Sequence, residues 1–252
     1  MSTLVDVGPA LAVALVLLAG VAATVSWYGR LGQTRAVLVA SLRAVGQLSV
    51  VALVLVAVVE SVPLSLLFVA SMLAVASWTA GRRLVKTSAA WWAAIPVAAG
   101  AAPVVVLLLV SGVVPFEGIA IVPIAGILIG GAMTATALAG RRALESLTER
   151  HGEYEAGLAI GLVSRESALE LCRAPASLGL VPALDQTRTV GLVALPGAFV
   201  GTLLGGASPV EAGAVQVLIL VALLAVQTVA IVATTELVAR GILVSGHAVH
   251  VD

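Results

Sequence analysis

The sequence predicts an all-α integral membrane protein with about seven transmembrane helices. Three observations lead there. Apolar residues make up 61% of the 252 and charged residues only 10%. A soluble domain carries about 25% charged residues, so this chain could not cover its surface with polar groups. Its apolar residues fall into runs long enough for a ~30 Å hydrocarbon core at ~1.5 Å rise per residue. No ten-residue alternating pattern marks a barrel strand, which leaves helices, whose backbone groups are satisfied internally.

The runs cover 9–27, 36–59, 64–80, 91–113, 119–139, 189–204 and 211–238. The first has no positive region before it, so it reads as a retained span rather than a cleaved leader. The second carries Arg43 and Gln47. The fifth contains Pro123, Gly126, Gly130 and Gly131, and the sixth Pro196, Gly197 and Gly201, marking helices that kink or pack closely. Thr228, Thr234 and Thr235 in the seventh read as interhelical hydrogen-bonding groups. The whole chain, 1–252, is expected to be one transmembrane domain, with a loop at 140–188 between the fifth and sixth spans.

Positive charge orients the spans. Arg30 and Arg35 follow the first, Arg82, Arg83 and Lys86 the third, six arginines occupy the long loop, and Arg240 follows the last. The alternate loops hold Glu60, Glu117 and the turn before Pro209, with no Lys or Arg. The positive-inside rule then places the N-terminus outside and the C-terminus inside. Trp27, Trp78, Trp91 and Trp92 fall at the cytoplasmic ends, as an interfacial aromatic belt requires.

Half of all Asp, Glu, Lys and Arg residues lie between Arg141 and Arg188. Leu144, Leu147, Tyr154 and Leu158 recur there at helical spacing with charged residues on other faces, predicting an amphipathic helix. Ser164 is a candidate cap for a second helix, with Glu166 in its first turn and its end before Pro175. Such a segment is either a water-side docking platform or a pair of helices lying on the membrane surface.

Enzyme signatures are missing. The only lysine, Lys86, lies outside any phosphate-binding loop, and no nucleophile-elbow or zinc-protease motif occurs. No catalytic residue, metal ligand set or cofactor is expected in this chain. His151, His247 and His250 all lie outside the spans, and the lone Cys172 excludes a disulfide framework. The formal net charge is zero, giving no basic surface for nucleic acid.

Arg43 and Gln47 share one face of the second span, with Arg43 roughly 10 Å from the cytoplasmic end. A charge at that depth is a functional candidate by default; the alternative is that Arg43 snorkels and Gln47 bonds a neighbouring helix. Thr134 and Gln216 join them as candidates for the translocation path.

The second half carries a longer pattern. It runs through Val122-Pro-Ile-Ala-Gly-Ile-Leu-Ile-Gly-Gly-Ala-Met133, Gly161, Arg165 and Arg173. It continues through Pro182-x-x-Asp185-x-x-Arg188-Thr-Val-Gly-Leu-Val-x-Leu-Pro-Gly197, then Gly201 and Pro209-x-x-Ala212-x-x-x-Gln216. With Arg43-x-x-x-Gln47-Leu48, this resembles the FetB-type permease subunits of ABC transporters, over nearly the whole chain. That family is linked to iron export in bacteria, with plant relatives linked to aluminium tolerance. Leu162, Val163 and Leu203 depart from its usual pattern.

The resemblance implies a bacterial cell-membrane exporter of metal ions, worked by a separate ATP-binding subunit that binds the nucleotide, with two copies of each chain. Glu155, Gly161, Arg165, Arg173 and Asp185 would couple to that subunit. Arg43, Gln47, Thr134 and Gln216 would line or gate the path, and Pro123, Gly130, Pro196 and Gly197 would be hinges or packing points. The spans themselves offer no Asp, Cys or His, and a positive Arg43 suits an anionic or chelated cargo better than a bare cation. A secondary transporter or channel, or a membrane scaffold, are the alternatives the residues leave open.

Overall fold

In the computed structural model residues 8–243 are described, and they form helices joined by turns, without a β-strand. His247 and His250 lie outside the described residues. The chain divides between Val58 and Val59 into two compact units.

The first unit contains α1 (Pro9–Tyr28) and most of α2 (Thr34–Val59). Pro9 opens α1, where its missing N–H costs nothing. Arg30 and Gly32, both at positive φ, turn the chain, and the Thr34 hydroxyl donates to Ser26 Oγ at 3.5 Å across that turn. Nearly all α1 and α2 side chains are exposed and apolar, as lipid-facing surface is.

The second unit is built around α5 (Gly118–Glu149), which packs on α3 (Val62–Leu84), α4 (Ala94–Val110), α7 (Ser164–Ser177) and α10 (Pro209–Ala239). Small residues set the spacing. A Cβ on Gly131 of α5 would lie 2.5 Å from Leu223 Cδ2, and one on Gly100 of α4 would lie 2.6 Å from the Val226 carbonyl oxygen. Only glycine lets these backbones approach so closely. Gly81 of α3 abuts Ala90 of the 3-10 turn Ser88–Ala93 in the same way.

These contacts also give directions. Gly118 meets Ser65, Gly126 meets Met72 and Gly140 meets Leu84, so α3 and α5 run parallel. Gly131 meets Leu223 and Gln227, and Gly140 meets Thr234, so α5 and α10 run parallel as well. Parallel neighbours require the chain to return along the full height of the bundle between them. After α3 the return is the 3-10 turn and α4. After α5 it is a series of shorter pieces: α6 (His151–Ala159), α7, the 3-10 turn Leu178–Leu180, α8 (Val181–Thr189) and α9 (Gly197–Leu204).

Six helical segments are long and apolar enough to cross a membrane: Pro9–Tyr28, Thr34–Val59, Val62–Leu84, Ser88–Val110, Gly118–Glu149 and Pro209–Ala239. The expected continuous span 189–204 is not among them. Gly191 sits at φ +77°, its N–H donates to the Ala194 carbonyl at 3.0 Å, and extended Pro196 precedes the eight-residue α9. A left-handed glycine and a proline without an N–H stop any helix running through.

The loop expectations are also revised. The fifth helix does not stop near residue 139 but continues to Glu149, and α6 follows after a break at Arg150. Ser164 is the first residue of α7 rather than its cap, and α7 runs through Pro175 to Ser177. Pro175 cannot donate to the carbonyl of Leu171, but the Ser146 hydroxyl does so at 3.0 Å, filling the vacancy the proline leaves. The single amphipathic helix that the loop's spacing predicts is divided at Arg150: Leu147 and Tyr154 are buried against the core and Leu144 packs on it, but Leu158 is exposed.

Candidate functional site

Two regions carry the residues that the sequence singles out. The first is the charged platform of α6 and α7 at the end of α5. Its pieces are fastened to one another by single polar contacts from short side chains. Ser167 Oγ donates to the Tyr154 carbonyl at 2.8 Å, tying α7 to α6. Ser146 ties α7 to α5, helped by Cys172 Sγ, 3.7 Å from the Ala143 carbonyl. Burial removes Cys172 from solvent and raises its thiol pKa to about 11. At the corner between α5 and α6, Arg150 Nε donates to Glu153 at 2.7 Å and holds that carboxyl below its ordinary range.

A longer link runs from the platform to α10. Arg165 donates both guanidinium arms to Glu236, at 2.6 and 2.8 Å, and Arg240 donates to the same carboxylate at 2.6 Å. The bidentate bond raises the pKa of Arg165 further above its ordinary value. Beside this clamp, a cavity of about 510 Å³ opens between α7 and α10, with Arg173, Ser177 and Thr228 on its wall. Arg240 with Glu236 is the i+4 pair their spacing suggests; Arg165 with Glu236 joins residues 71 apart.

At the tip of the platform, between α6 and α7, Gly161 turns the chain at φ +98°. Ile160 and Val163 beside it are 81% and 60% exposed. Two large apolar side chains thus stand exposed at the turn between the charged helices α6 and α7. Glu155 stands nearby, 3.3 Å from His151. Asp185 is not on this tip: it lies within α8, 3.6 Å from Arg188. The coupling candidates thus split between α6–α7 and α8. Ile160 and Val163 went unnoticed in the sequence, although two large apolar residues ending a charged helix are a readable signal.

The second region is the broken return. α9 lies against α10, and the backbone N–H of Phe199 donates to Gln216 Oε1 at 3.1 Å. Gln216 is 4% exposed, and its carbonyl occupies one of the donors that open α9. Opposite the break, Ser208 and Glu211 form a reciprocal capping box that starts α10. Gly197 and Gly130 face open space, and Pro123 lies inside α5 with no break in the helix.

Thr134 and Gln216, the two path candidates of the second unit, are not brought together. Thr134 is exposed and its hydroxyl donates back to the Gly130 carbonyl at 2.9 Å, like Thr228, Thr234 and Thr235 in α10. Since Gly131 is level with Leu223, Thr134 and Gln216 stand roughly 15 Å apart along the bundle at ~1.5 Å per residue. Arg43 and Gln47 lie one turn apart on α2 in the other unit, both exposed, without a hydrogen bond or ion pair among the described residues. No cluster of three His, Cys, Asp or Glu suited to a metal occurs among the described residues.

Residues 9–243 match the model of the uncharacterised protein family UPF0014. The chain belongs to this family. Over 228 residues it is 35% identical to the UPF0014 membrane protein STAR2 of Oryza sativa, covering 89% of this chain and 80% of that protein. It is 34% identical over 167 residues to the protein ALUMINUM SENSITIVE 3 of Arabidopsis thaliana, 66% of this chain and 61% of that one. The probable iron export permease protein FetB of Escherichia coli is 29% identical over 240 residues, 94% of this chain and 92% of FetB. No solved structure matches. Six apolar membrane-length helices and this membership make the UPF0014 chain a multi-pass membrane protein.

Proposed function

We propose that this UPF0014 protein is the membrane-spanning permease subunit of an ABC transporter, an exporter that a separate ATP-binding chain drives. The observation that carries the reading is the α6–α7 platform: an exposed apolar tip at Ile160 and Val163, on an element fastened to α5 through Ser146 and to α10 through Glu236. Such an element presents a surface to a partner and would pass a push on it directly to two long helices. Similarity to the probable iron export permease protein FetB supports export of iron. Two copies of the chain with two ATPases, N-terminus outside and platform in the cytoplasm of a bacterial cell, complete the proposal.

The partner would bind and hydrolyse ATP, and this chain would do no covalent chemistry. Motion of the platform would reach α10 through the clamp and reach α9 through α8 and the break at Val190–Pro196. The bond from Phe199 to Gln216 would then be the contact that opens or holds the far half of the return. Arg43 favours a cargo that travels as an anion or an anionic chelate.

The test is co-purification of the tagged chain from native membranes. A stoichiometric ATP-binding partner is expected, and Ile160→Asp should release it without affecting membrane insertion. A chain that purifies alone and still moves solute in liposomes would overturn the reading in favour of a secondary transporter. One that is alone and inert would favour a scaffold.

A further inference from the structure

A second charged feature lies on the other side of α5, where α3 ends. Arg83 on α3 and Arg141 on α5 line one cavity of about 280 Å³, with Leu84 and Leu144 as its apolar wall. Several water molecules fit such a volume, each needing ~30 Å³, and so does a phosphate ester. Neither arginine, nor the adjacent Arg82 and Lys86, has an acidic partner within ion-pair distance among the described residues. Elsewhere in this unit arginines are paired: Arg142 with Glu145, Arg150 with Glu153, Arg165 with Glu236. Arg83 and Arg141 therefore face the cavity without a neutralising ion pair.

Aromatic groups fix the depth of this end of α3. Trp78 and Trp91 pack with ring centroids 4.9 Å apart, and the Arg82 guanidinium lies 5.4 Å from the Trp78 centroid. Both rings remain about half exposed, as does Trp92, so protein does not cover them. Half-exposed tryptophans at the end of apolar helices mark the boundary between hydrocarbon and headgroups. Two carboxylates also reach the cavity, Glu145 and Glu149. Glu145 is taken by Arg142 at 3.3 Å. Glu149 lies eight residues further along α5 than Arg141, roughly 12 Å toward water at ~1.5 Å per residue.

We propose that the cavity between Arg83 and Arg141 binds the phosphate of an anionic phospholipid of the phosphatidylglycerol type. The guanidinium groups approach it from two helices, and the acyl chains lie along the apolar flanks of α3 and α5. Guanidinium is the group best suited to a bidentate phosphate contact. The site needs only the membrane placement of the chain, and it stands whether or not an ATPase drives transport.

The test is native mass spectrometry of the full chain in nonionic detergent, titrated with phosphatidylglycerol or phosphatidylcholine. Phosphatidylglycerol should bind saturably and phosphatidylcholine should not. A cation near an anionic headgroup is worth roughly fivefold in affinity, so Arg83→Gln with Arg141→Gln should weaken binding about 25-fold. Replacing Arg150 and Arg188, whose partners Glu153 and Asp185 do not line the cavity, by Gln removes the same formal charge and should change binding less than about twofold. In the wild-type chain, retention should fall as salt rises from roughly 0.05 to 0.5 M. Equal binding of both lipids, or equal losses in the two double variants, would overturn the proposal. So would a double variant that keeps its lipid but loses a co-purifying protein, since the patch would then be a protein interface.

Discussion

Glu236 accepts from two arginines of different origin, one on its own helix and one from the platform. All three side chains are partly solvated, so the clamp contributes little to stability. Its consequence is mechanical. Glu236→Gln should leave insertion and melting temperature nearly unchanged while lowering transport per ATP hydrolysed, read by coupled assays in proteoliposomes. A variant with wild-type coupling would remove the clamp from the mechanism. The pair Glu236 and Arg240 was legible from its i+4 spacing, whereas Arg165 was not, because nothing in a sequence joins residues 71 apart without the fold between them. Glu153 gives a pH test. Arg150 depresses its pKa, so this contribution is fully present above the unfolded value of about 4.3 and is lost only as pH falls through the lower folded value. The carboxyl resonance of Glu153 should titrate below the ordinary glutamate value of about 4.3, and Arg150→Gln should move it back up. Cys172, with its thiol pKa near 11 and no exposed surface, should resist maleimide at pH 8 until the chain is denatured.

At the level of whole helices, the contacts of Gly100 and Gly131 predict where the bundle is least tolerant. Gly100→Ala places a methyl 2.6 Å from the Val226 carbonyl and should destabilise the folded chain by about 1–3 kcal/mol, measured by thermal unfolding in detergent. Gly130→Ala, one position from Gly131 but facing open space, should be near neutral or slightly stabilising. Five of the six apolar helices were legible to within a few residues, since uninterrupted hydropathy of sufficient length leaves the backbone one solution; the fifth was read short because its helix continues past the charges that end the apolar run at Arg141. The return at 189–204 is equally apolar, and there composition misleads. Whether that stretch is one helix depends on the backbone angles at Gly191 and Pro196, which hydropathy does not weigh. The end of α7 was misjudged for a related reason: the bond that lets the helix continue past Pro175 comes from Ser146, on another helix.

Over the whole molecule, the parallel run of α3, α5 and α10 sets what the ends can do. If α4 and the α8–α9 return both traverse the bundle, Glu117 and Ile160 stand on opposite sides of the membrane. Single cysteines placed at those positions in a Cys172→Ala background should label from opposite sides of sealed vesicles. Labelling from one side would refute the orientation proposed above. The candidate path was the least legible feature: Thr134 and Gln216 are each polar in an apolar span, but their separation along the bundle appears only once α5 and α10 are set side by side. The broken return has a further consequence, for biogenesis. A translocon partitions segments by their own hydrophobicity, and 181–204 offers it a charged helix, a kink and two short turns of apolar helix. That segment has no strong claim on the bilayer while it emerges. On the orientation proposed above, α10 would insert afterwards and draw the preceding residues across behind it. A nascent chain halted shortly after residue 208 should then hold that segment uninserted, and synthesis of α10 should be the step that carries it across.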